Sequence, residues 1–335
     1  MSIKSLTIEL VETNKNIFYL KSLVRQTKNK IIANNTKRLV FLLLCILSFN
    51  GTVSSQNNIS NGGINKKRLR GVILVESTVG TFAMVGLHYL WYKKFPHSRF
   101  HLFNDNNEWL NMDKLGHATT AYNFSAIQFN TMQWCGLNNR QSNLVGGLTA
   151  LGFQTIIEIF DGFSQKWGFS TGDMLANISG TALFMAQQAV WKEQRVQLKF
   201  SFHKTIYAQY NPNELGKNKW QRWLKDYNGQ TYWLSVNPSS FIRSKTDFPR
   251  WLNIAGGIGA EGMTGGVTNP IKMGDILLPE FKRKRKYFIS ADANMFRLFN
   301  TPNSVFLSVA NIIKLPAPTI EFKKGAAIKL RSFYF

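Results

Sequence analysis

Four long stretches of the chain carry apolar residues at the spacing of a helix. The first is mostly apolar and long enough to cross a membrane, whereas the second interleaves so many polar residues that it is expected to pack between other helices. The pattern therefore predicts an N-terminal, membrane-associated bundle of about four helices. The four stretches are residues 71–92, 117–134, 143–160 and 172–191.

After Glu193 the pattern changes to alternation, which is typical of half-buried strands. Because turn-forming pairs such as Asn-Gly and Asn-Pro separate the alternating stretches, we expect an antiparallel region of about six strands. This number is below the eight of the smallest common outer-membrane barrels, so a sheet or partial barrel is expected and a small spanning barrel is the alternative. The stretches are residues 197–207, 230–236, 252–262, 287–296 and 328–335, with a less regular apolar run at 305–313.

The two patterns together predict an α+β protein with three parts. Residues 1–55 form an N-terminal extension and signal peptide, residues 56–195 a helical domain, and residues 196–335 the β region. The signal peptide is inferred from basic residues at 37–38, the apolar run 39–49 and small residues before Gln56, which together indicate export. An uncleaved membrane anchor is the alternative for this segment.

Two cysteines bear on the compartment. Cys45 follows Leu44 rather than a small residue, so lipidation at this cysteine is not favoured. Cleavage of the signal peptide would leave Cys135 as the single cysteine, and an intrachain disulfide would then be impossible.

The chain is strongly basic, with 41 Lys and Arg against 18 Asp and Glu and a net charge of +23. Such a balance suits nucleic acid or an anionic membrane surface. The sequence has no helix-turn-helix pattern, RNA-binding motif or zinc-finger spacing, so we expect membrane lipid or envelope proteins as partners and no nucleic acid. The basic run at residues 281–286 is expected to be a solvated loop.

Polar side chains recur three or four residues apart at three places in the helical region. If each place is helical, its paired side chains share one face. Burying such groups singly would cost several kcal/mol each, about 2–7 for a neutral group, so we expect them to meet in one hydrogen-bonded cluster. The candidate site residues are Asp113, Lys114, His117, Glu158, Asp161, Asp173 and Asn177.

Each of these residues also has a simpler interpretation. Asp113 can be a first-turn acid, Asp161 a turn residue before glycine, and Asp173 the partner of Ser170 in a helix cap. As a site, His117 would act as a base, with Glu158 or Asp173 as an acid or metal ligand. The sequence carries no HExxH pattern and no nucleophile elbow. It names no cofactor, and the choice between a catalytic, a metal-binding and a structural cluster stays open.

The segments DKLGH, EIFDG and WGFSTGDMLANISG resemble the YfiM-like family of predicted periplasmic lipoproteins, a domain of unknown function. The order D-K-x-x-H, then E, then D-x-x-x-N also resembles the VanZ-like membrane proteins associated with glycopeptide resistance. The resemblance covers residues 109–190 and implies that the seven candidate residues are family-defining positions. It implies a location in the envelope of a Gram-negative bacterium, periplasmic or associated with the outer membrane, without naming a reaction.

The sequence as a whole therefore predicts an uncharacterised cell-envelope protein with a polar cluster inside a helical bundle. A structural or interaction role is expected, in which the cluster fixes how the helices pack. The alternative is an envelope hydrolase that uses the His/Asp/Glu cluster on a lipid or cell-wall substrate.

Overall fold

Four long helices begin the part of the chain that the computed structural model describes, which is residues 63–90, 92–242, 248–323, 325 and 327–334. The predicted signal peptide and Cys45 lie outside the described residues. All four predicted helices are present, with ends that differ from the predicted ones by a few residues. They are α1 (Lys66–Leu90), α2 (Met112–Trp134), α3 (Asn139–Gly162) and α4 (Thr171–Val190).

Local capping chemistry fixes where two of these helices begin, and a sharp backbone turn precedes a third. Asn138 and Gln141 form a reciprocal capping box at the start of α3, and the Ser170 side chain accepts from the Asp173 amide at the start of α4. These bonds satisfy amides that have no partner within the helix. Before α2, Leu110 and Asn111 adopt positive φ values of 54° and 59°, so the chain turns sharply there and sets the direction of α2.

Helix α2 lies between α3 and α4 and packs against both. Glycines allow the close approach: a Cβ at Gly146 of α3 would lie 2.8 Å from the Phe129 amide nitrogen of α2, and one at Gly180 of α4 would overlap the Ala118 carbonyl oxygen. Any larger residue would force the helices apart. Close packing therefore brings the first turn of α2 next to the end of α3 and the start of α4.

Ten strands and several short helices complete the described part of the chain. The strands are β1 (Leu102–Phe103), β2 (Phe169–Ser170), β3 (Val196–Phe202), β4 (Gln230–Val236), β5 (Leu252–Glu261), β6 (Lys272–Met273), β7 (Ile276–Leu277), β8 (Lys284–Ala293), β9 (Ala317–Lys323) and β10 (Lys329–Tyr334). The short α-helices are α5 (Pro212–Leu215), α6 (Lys219–Lys225), α7 (Met295–Leu298) and α8 (Val305–Ala310), and 3-10 turns occur at Tyr92–Lys94, Trp109–Asn111, Tyr207–Gln209 and Pro238–Ser240.

Six of the strands form one antiparallel sheet in the order β10-β9-β8-β5-β4-β3, and the described strands do not close into a barrel. The α+β class and the six-stranded antiparallel region are thus confirmed. β1 pairs in parallel with β2, and β6 pairs with β7. The proposed boundary between a helical and a β domain at residues 195/196 stays a prediction.

Two local predictions in the β region are wrong. The apolar run 305–313 is not a strand: Ser304 caps a helix by accepting from the Leu307 amide, and the sixth strand is β9, which follows it. The basic run 281–286 is not wholly a solvated loop, because Lys284–Lys286 begins β8 and Lys286 is buried. A single strand can carry basic residues on its covered face when that face is polar.

The helices pack on one face of the sheet, at β3 and β4. Tyr232 of β4 reaches α2, where its hydroxyl lies 2.8 Å from the position a Cβ of Gly116 would take. Met112 joins Phe200, Tyr232 and Met263 in one buried apolar cluster. The opposite face of the sheet is also buried and holds Trp233 with other aromatic and polar side chains.

Candidate functional site

Three helix ends and one loop meet at the predicted polar cluster. The first turn of α2 supplies Asp113 and Lys114, the last turns of α3 supply Glu158, and the first turn of α4 supplies Asp173. The parallel pairing of β1 with β2 holds the chain before Asp105 beside the start of α4. Acids at the beginning of α2 and α4 are also favoured by the positive ends of those helices.

Lys114 is the cationic centre of the first half of the cluster. Its Nζ lies 2.5 Å from Asp105 Oδ1, 2.9 Å from Asp113 Oδ2 and 2.8 Å from Asp173 Oδ1. Burial alone would lower the pKa of Lys114, but the three carboxylates outweigh it and raise the pKa above its ordinary value. The lysine therefore stays protonated and binds α2, α4 and the 104–108 loop together.

His117 is the centre of the second half. Its Nδ1 lies 3.2 Å from Asn177 Oδ1 and 3.5 Å from Glu158 Oε1, and its Nε2 lies 3.8 Å from Asp173 Oδ1. The side chain is 25% exposed, so one edge of the imidazole is open to the surroundings. Gln154 Nε2 donates to the same Asn177 oxygen at 3.0 Å, which fixes the amide within the bundle.

Glu158 is fully buried, yet its carboxylate is poorly satisfied. Oε2 accepts a long hydrogen bond of 3.4 Å from the Ser170 amide, while Oε1 accepts none from any described residue. Leaving a buried acceptor without a donor costs about 1–3 kcal/mol, and more when the group is charged. In the second half of the cluster, Glu158 Oε1 therefore has no hydrogen-bond donor among the described side chains.

The remaining predicted residue, Asp161, has a separate contact. Its Oδ1 accepts from the Tyr92 hydroxyl at 2.8 Å, and the Tyr92 ring packs edge-on against Trp167. This bond links the chain just after α1 to the end of α3. Asp161 thereby contacts Tyr92 rather than Lys114 or His117, although it lies on the same helix end as Glu158.

Two of the carboxylates that surround Lys114 have pKa values shifted in opposite directions. Burial raises the pKa of Asp173 to about 6, although His117 and Lys114 pull it down. Burial would also raise the pKa of Asp105, but hydrogen bonds with Asp173, Lys114 and Ser170 lower it below its usual value. The pair behaves as two coupled acids of which Asp105 loses its proton first.

Two sets of three ligands in the cluster could hold a metal ion, and Asp173 belongs to both. The atoms of each set lie within 4.8 Å of one another. The first set surrounds the Lys114 ammonium, which binds all three of its carboxylates. In the second set Lys114 also binds Asp173 Oδ1, whereas Glu158 and His117 are bound to no lysine or arginine among the described residues, and the nitrogen and oxygen atoms of this set suit a first-row divalent ion. The sets are Asp105, Asp113 and Asp173, and His117, Glu158 and Asp173.

The sequence pattern missed three contributors to this cluster. Asp105 comes from a loop and is brought in by the β1–β2 pairing, which two-residue strands do not reveal in a sequence. Tyr92 follows α1 and meets the cluster only through tertiary packing. Gln154, in contrast, lies four residues before Glu158 on the same helix face, so the i, i+4 rule that selected the other residues could have found it.

A separate cavity of about 260 Å³ lies between α2, α4 and the segment that carries α7 and α8. Amide and aromatic side chains such as Asn123, Gln197 and Phe184 line it. None of its lining residues belongs to the polar cluster. This cavity is therefore separate from the polar cluster.

Fold and site together define an α+β protein with an acid-rich cluster where three helix ends meet. Residues 101–188 match the model of a family, DUF2279, described as predicted periplasmic lipoprotein. The match contains all seven predicted site residues and supports an exported protein of the cell envelope whose activity is unknown. No curated protein and no solved structure matches the chain.

Proposed function

We propose that this exported envelope protein binds a divalent cation at His117, Glu158 and Asp173, and that the ion fixes the contact of α2, α3 and α4. The observation that carries the proposal is Glu158 Oε1, a fully buried carboxylate oxygen that accepts no hydrogen bond from a described residue. Burial raises the pKa of Glu158 to about 8, so a bound cation would displace the proton of the carboxyl group and compensate the charge of the carboxylate directly.

The contrast with Lys114 supports this assignment. Where three carboxylates converge, the chain supplies its own cation, and Lys114 approaches each within 2.9 Å. Beside it, His117 approaches Glu158 and Asp173 only to 3.5 and 3.8 Å. Ligands about 2.1 Å from a tetrahedral metal lie about 3.4 Å from one another, and the 3.5 Å between His117 Nδ1 and Glu158 Oε1 suits two ligands of one ion better than a direct hydrogen bond.

The ligand chemistry limits which ion would bind. Imidazole together with carboxylate favours zinc, manganese or iron, whereas calcium requires six to eight oxygen ligands. Asn177 Oδ1, 3.2 Å from His117 Nδ1, adds a neutral oxygen next to the set. We therefore propose a first-row divalent ion and name Zn²⁺ and Mn²⁺ as the probes.

The test uses the full chain, purified in detergent and stripped of metal. Adding Zn²⁺ or Mn²⁺ is expected to raise the melting temperature and to give about one bound ion per chain by elemental analysis. Glu158→Gln keeps the shape but removes the charge, so it should abolish both effects. Glu214→Gln, which removes a half-exposed carboxylate paired with Lys166, is the matched control and should bind metal normally.

The proposal fails if the metal-free protein is folded and neither ion binds stoichiometrically or changes the melting temperature. Binding that persists unchanged in the Glu158→Gln variant would place the ion elsewhere. Circular dichroism of every variant separates these outcomes from loss of the fold.

A second candidate function is an envelope hydrolase, and the open edge of His117 favours it. An imidazole held between two carboxylates can move a proton, and 25% of this side chain is exposed. The substrate would be a lipid or a cell-wall fragment. Release of product by the wild type, lost in a folded His117→Gln variant, would support it, and identical rates for both proteins would remove it.

The finer relationship and location are also proposals. The likeness of the DKLGH, EIFDG and STGDMLANISG segments to YfiM-like and VanZ-like proteins supports a common site that joins helix ends in the envelope. We further propose the outer membrane as the location and membrane lipid as a partner, because an antiparallel sheet with buried charged side chains and an exposed apolar face suits that membrane. Fractionation with protease protection tests the location: recovery in the inner membrane would contradict it.

A further inference from the structure

The two faces of the six-stranded sheet have the opposite polarity from that of a water-soluble protein. In β8, Lys286, Ser290 and Asp292 point to the buried face, while Tyr287 and Ile289 between them are exposed. Soluble antiparallel sheets place apolar residues inside and polar ones outside. Here Lys286, Ser290 and Asp292 are inside together with Phe288, and Tyr287 and Ile289 are outside.

The inversion continues across neighbouring strands in one row. Gly256 of β5 pairs with Ile289 of β8, which pairs with Ile320 of β9, which pairs with Leu330 of β10. Every member of this row is exposed, Ile289 to 49% and Leu330 to 78%. Exposed apolar patches of this kind mark a surface that another phase or molecule covers.

The opposite face is buried and holds charged and hydroxyl side chains beside the aromatic cluster of Trp233, Phe288 and Tyr334. The Lys199 ammonium lies 2.8 Å from Asp292 Oδ2, and neither side chain is exposed. Ser235 donates to the same carboxylate oxygen, and Thr319 donates to Ser290. The polar-in, apolar-out order is the one that strands in contact with lipid show.

Helix α1 also exposes apolar side chains. None of its described residues is buried, and its exposed apolar side chains spread over more than half of its circumference at 100° per residue. One narrow stripe, which includes Val72, Glu76 and Met84, is partly covered by the bundle. The exposed apolar residues are Ile73, Leu74, Val75, Val79, Phe82, Val85 and Tyr89.

The lengths of these elements fit a bilayer. Residues Lys66–Tyr89 form one of two described helices that are long and apolar enough to cross a membrane, the other being Asn139–Gly162. At 1.5 Å per residue the 25 residues of α1 span about 37 Å, more than the hydrocarbon core of about 30 Å. β5 and β8 have 10 residues each, within the range of about 9–11 for a membrane-crossing strand.

Basic residues lie at both ends of the apolar surface. Lys66, Lys67, Arg68 and Arg70 are at the start of α1, and Lys93 follows its end. Cations at these levels meet anionic lipid head groups, which attract each lysine or arginine by about 1 kcal/mol. A protein partner would cover one side of α1 and one patch of the sheet, whereas lipid covers more than half of a helix without a specific fit.

We propose that α1 crosses a lipid bilayer and that the outer face of β5, β8, β9 and β10 lies against its hydrocarbon. The polar cluster then lies near one head-group level, because Tyr92, just after α1, donates to Asp161. This inference is independent of the metal site, since it concerns a different surface.

The test places a polarity-sensitive fluorophore on single cysteines of the full chain, with Cys45 and Cys135 replaced by serine. The protein is reconstituted into vesicles of phosphatidylethanolamine and phosphatidylglycerol. Labels at Phe82→Cys, Ile289→Cys and Ile320→Cys are expected to lose most of their emission to spin-labelled lipid and little to iodide. Lys217→Cys, in an exposed polar segment between α5 and α6, is the control and should respond in the opposite way.

Quenching of the Ile289 label by iodide alone would overturn the assignment of the sheet, and the same result at Phe82 would overturn that of α1. A disulfide-linked dimer formed through Ile289→Cys in the vesicles would instead assign the face to a second copy of the chain. Because a substitution could impair folding, the unlabelled wild type provides a further measurement: release from the vesicles by alkaline carbonate would overturn the whole proposal.

Discussion

The helical cluster and the interior of the sheet both bury charged side chains, but the cluster has an excess of carboxylates and the sheet interior has an excess of lysines. The helical cluster sets Asp105, Asp113 and Asp173 around Lys114, and Glu158 beside His117. The sheet interior near β3 and β8 sets two lysines around one carboxylate: Lys199 pairs with Asp292 at 2.8 Å, and Lys314 lies close by.

The protein itself compensates the excess of cations in the sheet. Lys199 also donates to the Ala293 carbonyl oxygen at 2.6 Å. Lys314 donates to the Leu315 carbonyl oxygen at 2.8 Å, and its Nζ lies 4.7 Å from the Trp233 ring centroid. Carbonyl oxygens and aromatic faces can therefore satisfy a lysine.

The carboxylates of the helical cluster have no equivalent supply of donors, and Glu158 Oε1 is left without one. The comparison teaches that both lysines of the sheet interior find acceptors in the chain itself, although Asp292 Oδ1 accepts no hydrogen bond from a described residue, whereas the carboxylates of the helical cluster call for an added cation. The predictions below test each half of this statement.

The largest effect is expected at the buried ion pair of the sheet. Asp292→Ala leaves the fully buried Lys199 without its counter-charge, and breaking one side of a buried pair costs about 3–5 kcal/mol. Urea unfolding in detergent measures the loss. The double variant Lys199→Met, Asp292→Leu removes both charges and should recover most of the stability. A double variant as unstable as the single one would contradict the idea that Asp292 serves mainly as the counter-charge of Lys199.

The next largest effect concerns the outer face of the sheet. Ile289→Lys introduces a charge where we propose hydrocarbon, which costs about 2–4 kcal/mol at the middle of a bilayer. As a control, Lys217→Ala removes a charge at an exposed position and should cost less than about 0.5 kcal/mol. Refolding into phosphatidylcholine vesicles from urea measures both. An Ile289→Lys protein as stable as the wild type in vesicles would argue for water at this face.

A pH effect is expected from the sheet interior. Burial lowers the pKa of Lys314 to about 8, with Lys199 lowering it and Asp292 raising it. Between this pH and the ordinary lysine value of about 10.4, the unfolded chain keeps the proton and the folded one does not. Stability therefore rises with pH through that window, by at most about 1.4 kcal/mol per pH unit.

Unfolding measured between pH 7.5 and 10 tests this direction. Lys314→Met should make the rise smaller without removing it, because burial also lowers the pKa of Lys286 to about 8, and Lys217→Met, at an exposed position, should leave the rise unchanged. A wild-type stability that falls across the whole window would show that Lys314 keeps its proton in the fold.

The sequence predicted the positions of the helices and strands better than it predicted which of their faces are buried. Periodicity located all four long helices and five of the six sheet strands, because each carries many residues of one pattern. It failed at residues 305–313, where an apolar run without strict alternation is the short helix α8, capped by Ser304. It also failed for Lys286, since a single strand does not reveal that the polar face of its sheet is the inner one.

The candidate site was predictable where spacing along one helix decides and not where tertiary contacts decide. His117, Glu158 and Asp173 stand three or four residues from other polar residues on their helices, and the structure brings the three together. Asp105 depends on the pairing of two-residue strands, which carries no periodic signal. The catalytic, metal-binding or structural role of the cluster stays a prediction, because side-chain geometry alone does not assign a role.

The prediction that bears most directly on the comparison concerns the metal response of a Lys114 variant. Lys114→Met removes the only lysine that the described structure places among Asp105, Asp113 and Asp173, and leaves their oxygens short of donors. Each such loss costs about 1–3 kcal/mol, so the metal-free variant should melt below the wild type. Because the three carboxylates can also form a metal site, added Mn²⁺ should restore more stability to this variant than it adds to the wild type.

Thermal melting with and without Mn²⁺ measures this difference, and Lys166→Met serves as the control, because it removes a lysine from a more exposed pair with Glu214. A larger metal response in Lys114→Met than in Lys166→Met would mean that a divalent ion and the lysine compensate the same charge. Equal responses would mean that the excess of carboxylates in the helical cluster is neutralised by protons rather than by a cation. The helical cluster would then need no added cation.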